Sequence, residues 1–453
     1  MRLSSRFGHL TALVVTLFAS TVVGFAPAAS AAVFNPETFM LANGMQVVVV
    51  TSRRAPIVSH MVWYKVGAAD DPVGKSGIAH FLEHLMFKGT KTIPPGQFSK
   101  IVARNGGNDN AFTTHDYTAY FQRVARDKLD LVMRMEADRM TNLVLTDAEV
   151  LPERQVVLEE RRTRIDNDPG SQLYEQAQAA LFLNHPYRVP VIGWKHEIEK
   201  LNTRDALDFY RRFYVPNNAI LVIAGDVTAA EVKPLAEKYY GVIPRGHDIV
   251  RQRPTEPAHT ATQRVELRSA RVRQPTWSRT WLAPNYRRAK GNEAYALQVL
   301  AEVLGGGATS RLYRALVVEQ GLAASADAWF SPSQLDSGQF GVSAMPRPGK
   351  DLAKVEMAVI VEVQRIVTGG VTPEEVAHAK KSMMAAAIYA RDSLRAATSA
   401  LGRALATGQT VDDVESWPDR IDTVTAEEVN KAARAVLVDV GWVSGVLLPK
   451  EGS

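Results

Sequence analysis

The segment His80-Phe81-Leu82-Glu83-His84 sets two imidazoles four residues apart, with a carboxylate beside the second. On a helix, positions i and i+4 share a face about 5–6 Å apart at Cβ, so both rings can reach one ion without backbone strain. Glu83 projects next to that face, where it can accept a proton from a water activated at the ion. The chain has no cysteine, which excludes thiolate zinc sites, iron–sulfur clusters and cysteine nucleophiles together. Any metal therefore falls to His, Asp and Glu, and zinc suits such nitrogen and oxygen ligands. A catalytic zinc site needs three protein ligands and one open position, so a third ligand must be found.

Glu153 and Glu160 stand seven residues apart, two helical turns, and share a face, while Glu159 is rotated about 100° away. Glu160 is the candidate third ligand, completing a two-His-one-Glu set. Glu153 is the candidate carboxylate behind it, tuning or orienting a ligand. Taken singly, each piece has a plainer reading: two core or surface histidines, or a solvated Glu/Arg face. Together, H-x-x-E-H followed by an acidic helix gives every part a role, and this pattern is the inverzincin motif. His115, beside Asp116, reads as a structural histidine rather than a fourth ligand.

These residues need elements to hold them. Gln46–Val50 and His60–Val66 read as strands, Ser76–Phe87 as the helix carrying the motif, and part of Ala111–Arg123 as an aromatic and threonine-rich strand. Asp127–Met140 has apolar residues at helical spacing, and Thr146-Asp147-Ala148-Glu149 is a capping box opening the Glu160 helix, with Pro152 in or near its first turn. Asn218–Asp226 reads as a buried strand. The polar stretch from Gly241 to about Gln263, with Pro244, Pro254 and Pro257, is a boundary. After it the order begins again with a strand (Thr276–Leu282), a helix (Asn292–Leu304) and a final helix and strand (Ala426–Val436, Gly441–Leu448). Helices follow runs of strands rather than alternating with them, which predicts an α+β fold of two similarly built halves, each a mainly antiparallel sheet packed with helices.

Composition narrows the setting. With 453 residues, 22% charged and 8% aromatic, the chain is an ordinary globular one of two or three domains. Its net charge of +5 is dilute, and Arg161, Arg162 and Arg164 sit among Glu159, Glu160 and Asp166, a solvated mixed surface rather than a nucleic-acid footprint. Arg2 and Arg6, the apolar run Leu10–Phe25 and the small-residue site Ala29-Ser30-Ala31 read as an export signal cleaved before Ala32. Cleavage removes two positive charges, leaving +3. No later run is apolar enough to span a membrane, and export without cysteine suits a periplasm or the cell exterior. The expected division is 1–31 signal peptide, 32–245 zinc-binding catalytic domain, 246–262 linker and 263–453 a second domain without a metal site.

The run Gly77-Ile78-Ala79-His80-Phe81-Leu82-Glu83-His84-Leu85-Met86-Phe87-Lys88-Gly89-Thr90 closely resembles the pitrilysin, insulinase and mitochondrial processing peptidase family of zinc peptidases. The resemblance extends from about Phe34 to the end, through Glu153–Glu160, His185-Pro186-Tyr187 with Gly193, and Phe213–Asn218. It implies one zinc per chain held by His80, His84 and Glu160, and Glu83 as general base. It implies that Asn110-Ala111-Phe112 lies on an edge strand to which an extended peptide substrate adds as a further strand. It also implies two domains forming half of a clam-shaped chamber.

One segment departs from the pattern. Active members resembling L-R-E-x-x-G-L-A-Y carry an Arg and a Tyr in the second half that hold the substrate, and here Val317 and Ala324 stand in their places. The expectation that follows is a heterodimer in which this chain brings the zinc, and a homologous partner without H-x-x-E-H brings the Arg and Tyr. The reading is thus an exported zinc endopeptidase acting on unstructured peptides. The alternative is a non-catalytic structural or chaperone-like subunit of the same fold.

Overall fold

Val47, Val48, Val49 and Val50 are consecutive and all buried, the pattern of a strand covered on both faces. The computed structural model describes residues 33–450, and the expected export signal and its cleavage site lie outside the described residues. β1 (Glu37–Met40), β2 (Gln46–Thr51), β3 (Ile57–Tyr64), β4 (Asn108–Thr113), β5 (Thr118–Ala125) and β6 (Ala219–Gly225) form one sheet in the order β1-β2-β6-β3-β5-β4. β7 (Gln263–Ser269), β8 (Thr276–Ala283), β9 (Ala323–Ser331), β10 (Gly338–Pro346) and β11 (Trp442–Pro449) form a second, in the order β7-β11-β8-β10-β9. One pair in each sheet is parallel, β2 with β6 and β7 with β11, and the others are antiparallel. Without β1 the two orders match strand for strand, so the chain repeats one α+β unit, as the sequence predicts.

Side chains alternate across each strand, and both faces of the first sheet are buried. Val47, Val49, Val62 and Ile223 meet the helices Ile78–Leu85 and Leu129–Thr141 in the larger core. Val48, Met61, Trp63 and Ile220 meet Ala397, Leu401 and Ala406 of a helix, Leu394–Ala406, that belongs to the second half of the chain. The exchange runs the other way too. The helix Pro169–Leu181 of the first half packs on β7 and β11, with Leu173 against Leu447 and Leu267. Neither stretch of sequence carries a local sign of which sheet it covers.

The sequence expectations hold at element level with two adjustments. Ala111–Arg123 resolves into a hairpin, β4 and β5, closed by Thr114–Tyr117. Pro152, expected in or near the first turn, stands just beyond it in the helix Asp147–Arg161. That helix opens on the Thr146/Glu149 capping box. The stretch 244–262 has no helix or strand, yet it is fastened: Arg253 donates to Asp70 at 3.1 Å, Asp116 at 2.5 Å and Asp336 at 3.0 Å. Among the described residues no helix is long and apolar enough to cross a membrane.

Candidate metal centre

The motif helix, Ile78–Leu85, is buried along its whole length except at His84. Gly77, which precedes it, has φ +86°, and a Cβ there would meet Ile192 O at 2.4 Å; at Gly193 (φ +91°) a Cβ would meet Ser76 O at 2.4 Å. Only glycines allow this approach, which locks the start of the motif helix against the 190–193 turn. Asp71 substitutes for a side-chain cap, accepting from the backbone N–H of Gly77 at 2.7 Å and of Ala79 at 3.1 Å.

His80 and His84 lie on one face with ring centroids 4.9 Å apart. The helix Asp147–Arg161 delivers Glu160 to them: its Oε2 is 3.1 Å from His84 Nε2 and 3.8 Å from His80 Nε2. Arg161 anchors that helix by a bidentate pair with Glu175 at 2.7 and 2.9 Å and a bond to Gly193 O at 2.9 Å. The helix then widens into a π turn over Arg162–Asp166, the kind of irregularity found at functional sites. Among the described residues, His80, His84 and Glu160 are the group of three whose ligand atoms could hold a metal, all within 4.8 Å of one another.

The donor set fits a zinc ion. Glu160 Oε2 is buried without an aligned hydrogen-bond partner, although two imidazole nitrogens face it. The surrounding charges also favour a cation. Burial opposes protonation of His84, but the carboxylates of Glu153 and Glu160 overcome it and push the imidazole up to about 9. Burial, and then the neighbouring His84, push His80 down to about 4, so it presents a neutral lone pair. Behind the three ligands, Glu153 Oε1 accepts from His84 Nδ1 at 3.0 Å, an outer carboxylate that fixes tautomer and ring orientation.

Glu83 sits beside this group, 9% exposed, with Oε2 accepting from the Thr113 hydroxyl at 2.6 Å. Burial pushes its carboxyl above the usual range, opposed by that hydrogen bond and by His84, which makes it a stronger base than a solvated glutamate. Asn110, Ala111 and Phe112 lie on β4, the free edge of the first sheet. Phe112 packs edge-on against Trp63, with centroids 5.5 Å apart, so its ring belongs to the sheet's far face and its backbone is what the edge offers. A cleft of about 1030 Å³ runs past β4, the motif helix and Glu160 to Tyr174 and Val191. His115 Nε2 donates to Val189 O at 2.9 Å, and His115 stands outside the ligand group.

Three residues went unread in the sequence. Thr113 holds Glu83; Lys88 pairs with Glu153 Oε2; Arg164 pairs with Glu160 Oε1 at 2.7 Å. Lys88 and Arg164 each follow a site residue by four positions (His84 and Glu160), a spacing that signals a shared face. Thr113 has no such signal, because β4 reaches Glu83 only through the tertiary fold. Val317 is buried in the second core and Ala324 is exposed at the start of β9. Arg347 nearby is engaged with the Val317 and Ala323 carbonyls at 2.8 and 3.2 Å.

Residues 46–194 match the family described as Insulinase (Peptidase family M16), and residues 200–383 match the Peptidase M16 inactive domain. The zinc protease PqqE of Helicobacter pylori is 34% identical over 342 residues, covering 75% of this chain and 76% of that protein. A protein of Mycobacterium leprae named an uncharacterized zinc protease is 32% identical over 403 residues, 88% of each chain. Among solved structures, a protease from Helicobacter pylori superposes with a TM-score of 0.85 at 29% identity, covering 91% of this chain and 99% of that one. The first half of the periplasmic protease PqqL from Escherichia coli superposes with a TM-score of 0.79 over 92% of each chain; at 19% identity it shows the fold alone.

Proposed function

The chain belongs to the insulinase family of peptidases, family M16, and from that premise we propose that it is a zinc-dependent endopeptidase with Glu83 as general base. The observation that carries the reading is the convergence of His80, His84 and Glu160 within 4.8 Å, with the Glu83 carboxylate buried beside them. Zinc held by these three residues would polarise a scissile carbonyl and make a water acidic enough to attack it. Glu83 takes the proton of the attacking water and delivers it to the leaving amine. Thr113 occupies one Glu83 oxygen at 2.6 Å, leaving the other for the proton. The free edge of β4 gives an extended peptide a row of backbone partners whatever its side chains, which suits unstructured substrates. A chamber completed by a second, homologous chain would enclose them.

Two further elements belong to this reading. The partner supplies an Arg and a Tyr where this chain has Val317 and Ala324, and the N-terminal segment directs export to the periplasm or exterior with Ala32 as the mature start. The rival is a non-catalytic subunit, favoured by the match of residues 200–383 to an inactive domain. That match begins at residue 200 and includes none of His80, His84 and Glu160, so it does not bear on them.

Glu83→Gln separates the two. Cleavage of a quenched peptide should fall by about 10²- to 10⁴-fold, as for loss of a general base, with zinc content unchanged. Equal cleavage by the zinc-loaded variant overturns the assignment, and an inert wild-type chain, tested with its partner, supports the rival. A chain fully active alone as a monomer removes the heterodimer. N-terminal sequencing of the exported protein tests Ala32.

A further inference from the structure

Away from the metal centre, a cavity of about 590 Å³ lies where the 244–262 stretch passes between the two sheets. It is lined by Lys65, Arg251, Arg253 and Arg287 against two acids, Asp248 and Asp336. Both acids are already engaged. Asp336 accepts from Arg253 at 3.0 Å, Arg288 at 3.0 Å and His185 at 3.1 Å, and Asp248 pairs with Arg245. Arg253 is likewise committed to Asp70 and Asp116.

The remaining cations are only weakly compensated. Arg251 has a side chain 12% exposed, its nearest carboxylate is Asp70 at 3.9 Å from Nε, and both terminal nitrogens are buried without a hydrogen-bond partner. Lys65 is half-buried, and its Nζ makes no hydrogen bond or ion pair among the described residues. Among the described residues the Arg287 guanidinium reaches Leu335 O alone, at 3.4 Å. Burial and then the charge of Arg251 pull Lys65 below the usual lysine range, while burial lowers Arg251. Like charges gathered in a half-dry cavity repel each other and lose hydration, which is unfavourable unless a counter-charge joins them.

We propose that this cavity binds a small oxyanion of phosphate or carboxylate chemistry between Arg251 and Lys65. A guanidinium fork matches two oxygens of such a group, and an ammonium adds a point charge to a third contact. Lys65 follows β3, Arg251 belongs to the connecting stretch, and Arg287 follows β8. The anion would therefore join both repeats at their seam. The site is independent of the peptidase reading, and its test does not use cleavage.

The test is calorimetric titration of the purified chain with inorganic phosphate and, separately, with succinate, at constant ionic strength in chloride. One saturable site per chain is expected. Lys65→Met should weaken it about tenfold, as for loss of one charge-assisted contact, and Arg251→Gln should abolish it. Lys354→Met, an exposed lysine on the helix Leu352–Gly369, should leave it unchanged. Tighter phosphate than succinate assigns phosphate chemistry, and the reverse assigns carboxylates. If Arg251→Gln fails to fold, Lys65→Met carries the test alone. No saturable binding of either anion, or undiminished binding in Lys65→Met, overturns the proposal.

Discussion

The Thr113 hydroxyl donates to Glu83 Oε2 at 2.6 Å, so one hydrogen bond joins the edge strand β4 to the carboxylate beside the His80–His84–Glu160 group. Removing it with Thr113→Val should lower kcat by about 10- to 100-fold, the equivalent of a hydrogen bond to a charged group, with KM little changed. Thr113→Ser should restore most of the rate. A rise in KM alongside the fall in kcat, unrelieved by serine, would mean that Val merely distorts β4.

Glu153 acts through His84, to which it is bonded at 3.0 Å. Glu153→Gln should weaken zinc affinity about 10- to 100-fold, as losses behind a ligating histidine do. Competition with a chromogenic chelator measures this directly, and activity should return at saturating zinc. Unchanged affinity would leave Glu153 as a partner of Lys88 only.

Gly402 lies where the helix Leu394–Ala406 crosses Trp63, and a Cβ there would come within 2.1 Å of the indole. Gly402→Ala should therefore destabilise the fold by about 1–3 kcal/mol, the usual range for overpacking, although alanine is the better helix former. The urea midpoint reports it. A gain in stability would show that the helix can shift without loss.

Acid should weaken the fold through buried histidines. Burial holds His60 below its ordinary value of 6.5, and His60 is bonded to Gln122 at 2.8 Å and Tyr240 at 3.0 Å. A lowered folded value means the unfolded chain binds the proton first. This contribution is complete above pH 6.5 and is lost as pH falls below it. The loss per histidine is at most about 1.4 kcal/mol for each pH unit. His115, lowered by burial as well, acts in the same direction. Between pH 7.5 and 5.5 the urea midpoint should drop less in His60→Gln than in the wild type, and equal slopes would refute the account.

The centre was legible because its chemistry is local. His80, Glu83 and His84 occupy one short helix, and Glu153 and Glu160 announce their shared face by spacing alone. The repeat of two α+β units was legible because strand and helix signals restart after the boundary. What stayed hidden is tertiary. Leu394–Ala406 is an amphipathic helix like many others, and nothing in it names β3 and β6 as its target. Thr113 reads as one more threonine in a strand until the hairpin folds over the motif helix. The stretch 244–262 reads as a loose linker because its anchor, Arg253, finds Asp70, Asp116 and Asp336 only once both halves are in place.

The exchanged helices also set a timetable. The last strand of the first sheet ends at Gly225, and the helix that seals its far face begins at Leu394. At ordinary rates of synthesis that interval is on the order of ten seconds. Throughout it Val48, Met61, Trp63 and Ile220 lack the cover that Ala397, Leu401 and Ala406 give them, so the emerging first half cannot lock into its final form. Under the export proposed above, that delay would be useful, since a chain threaded unfolded across a membrane must not lock its fold beforehand.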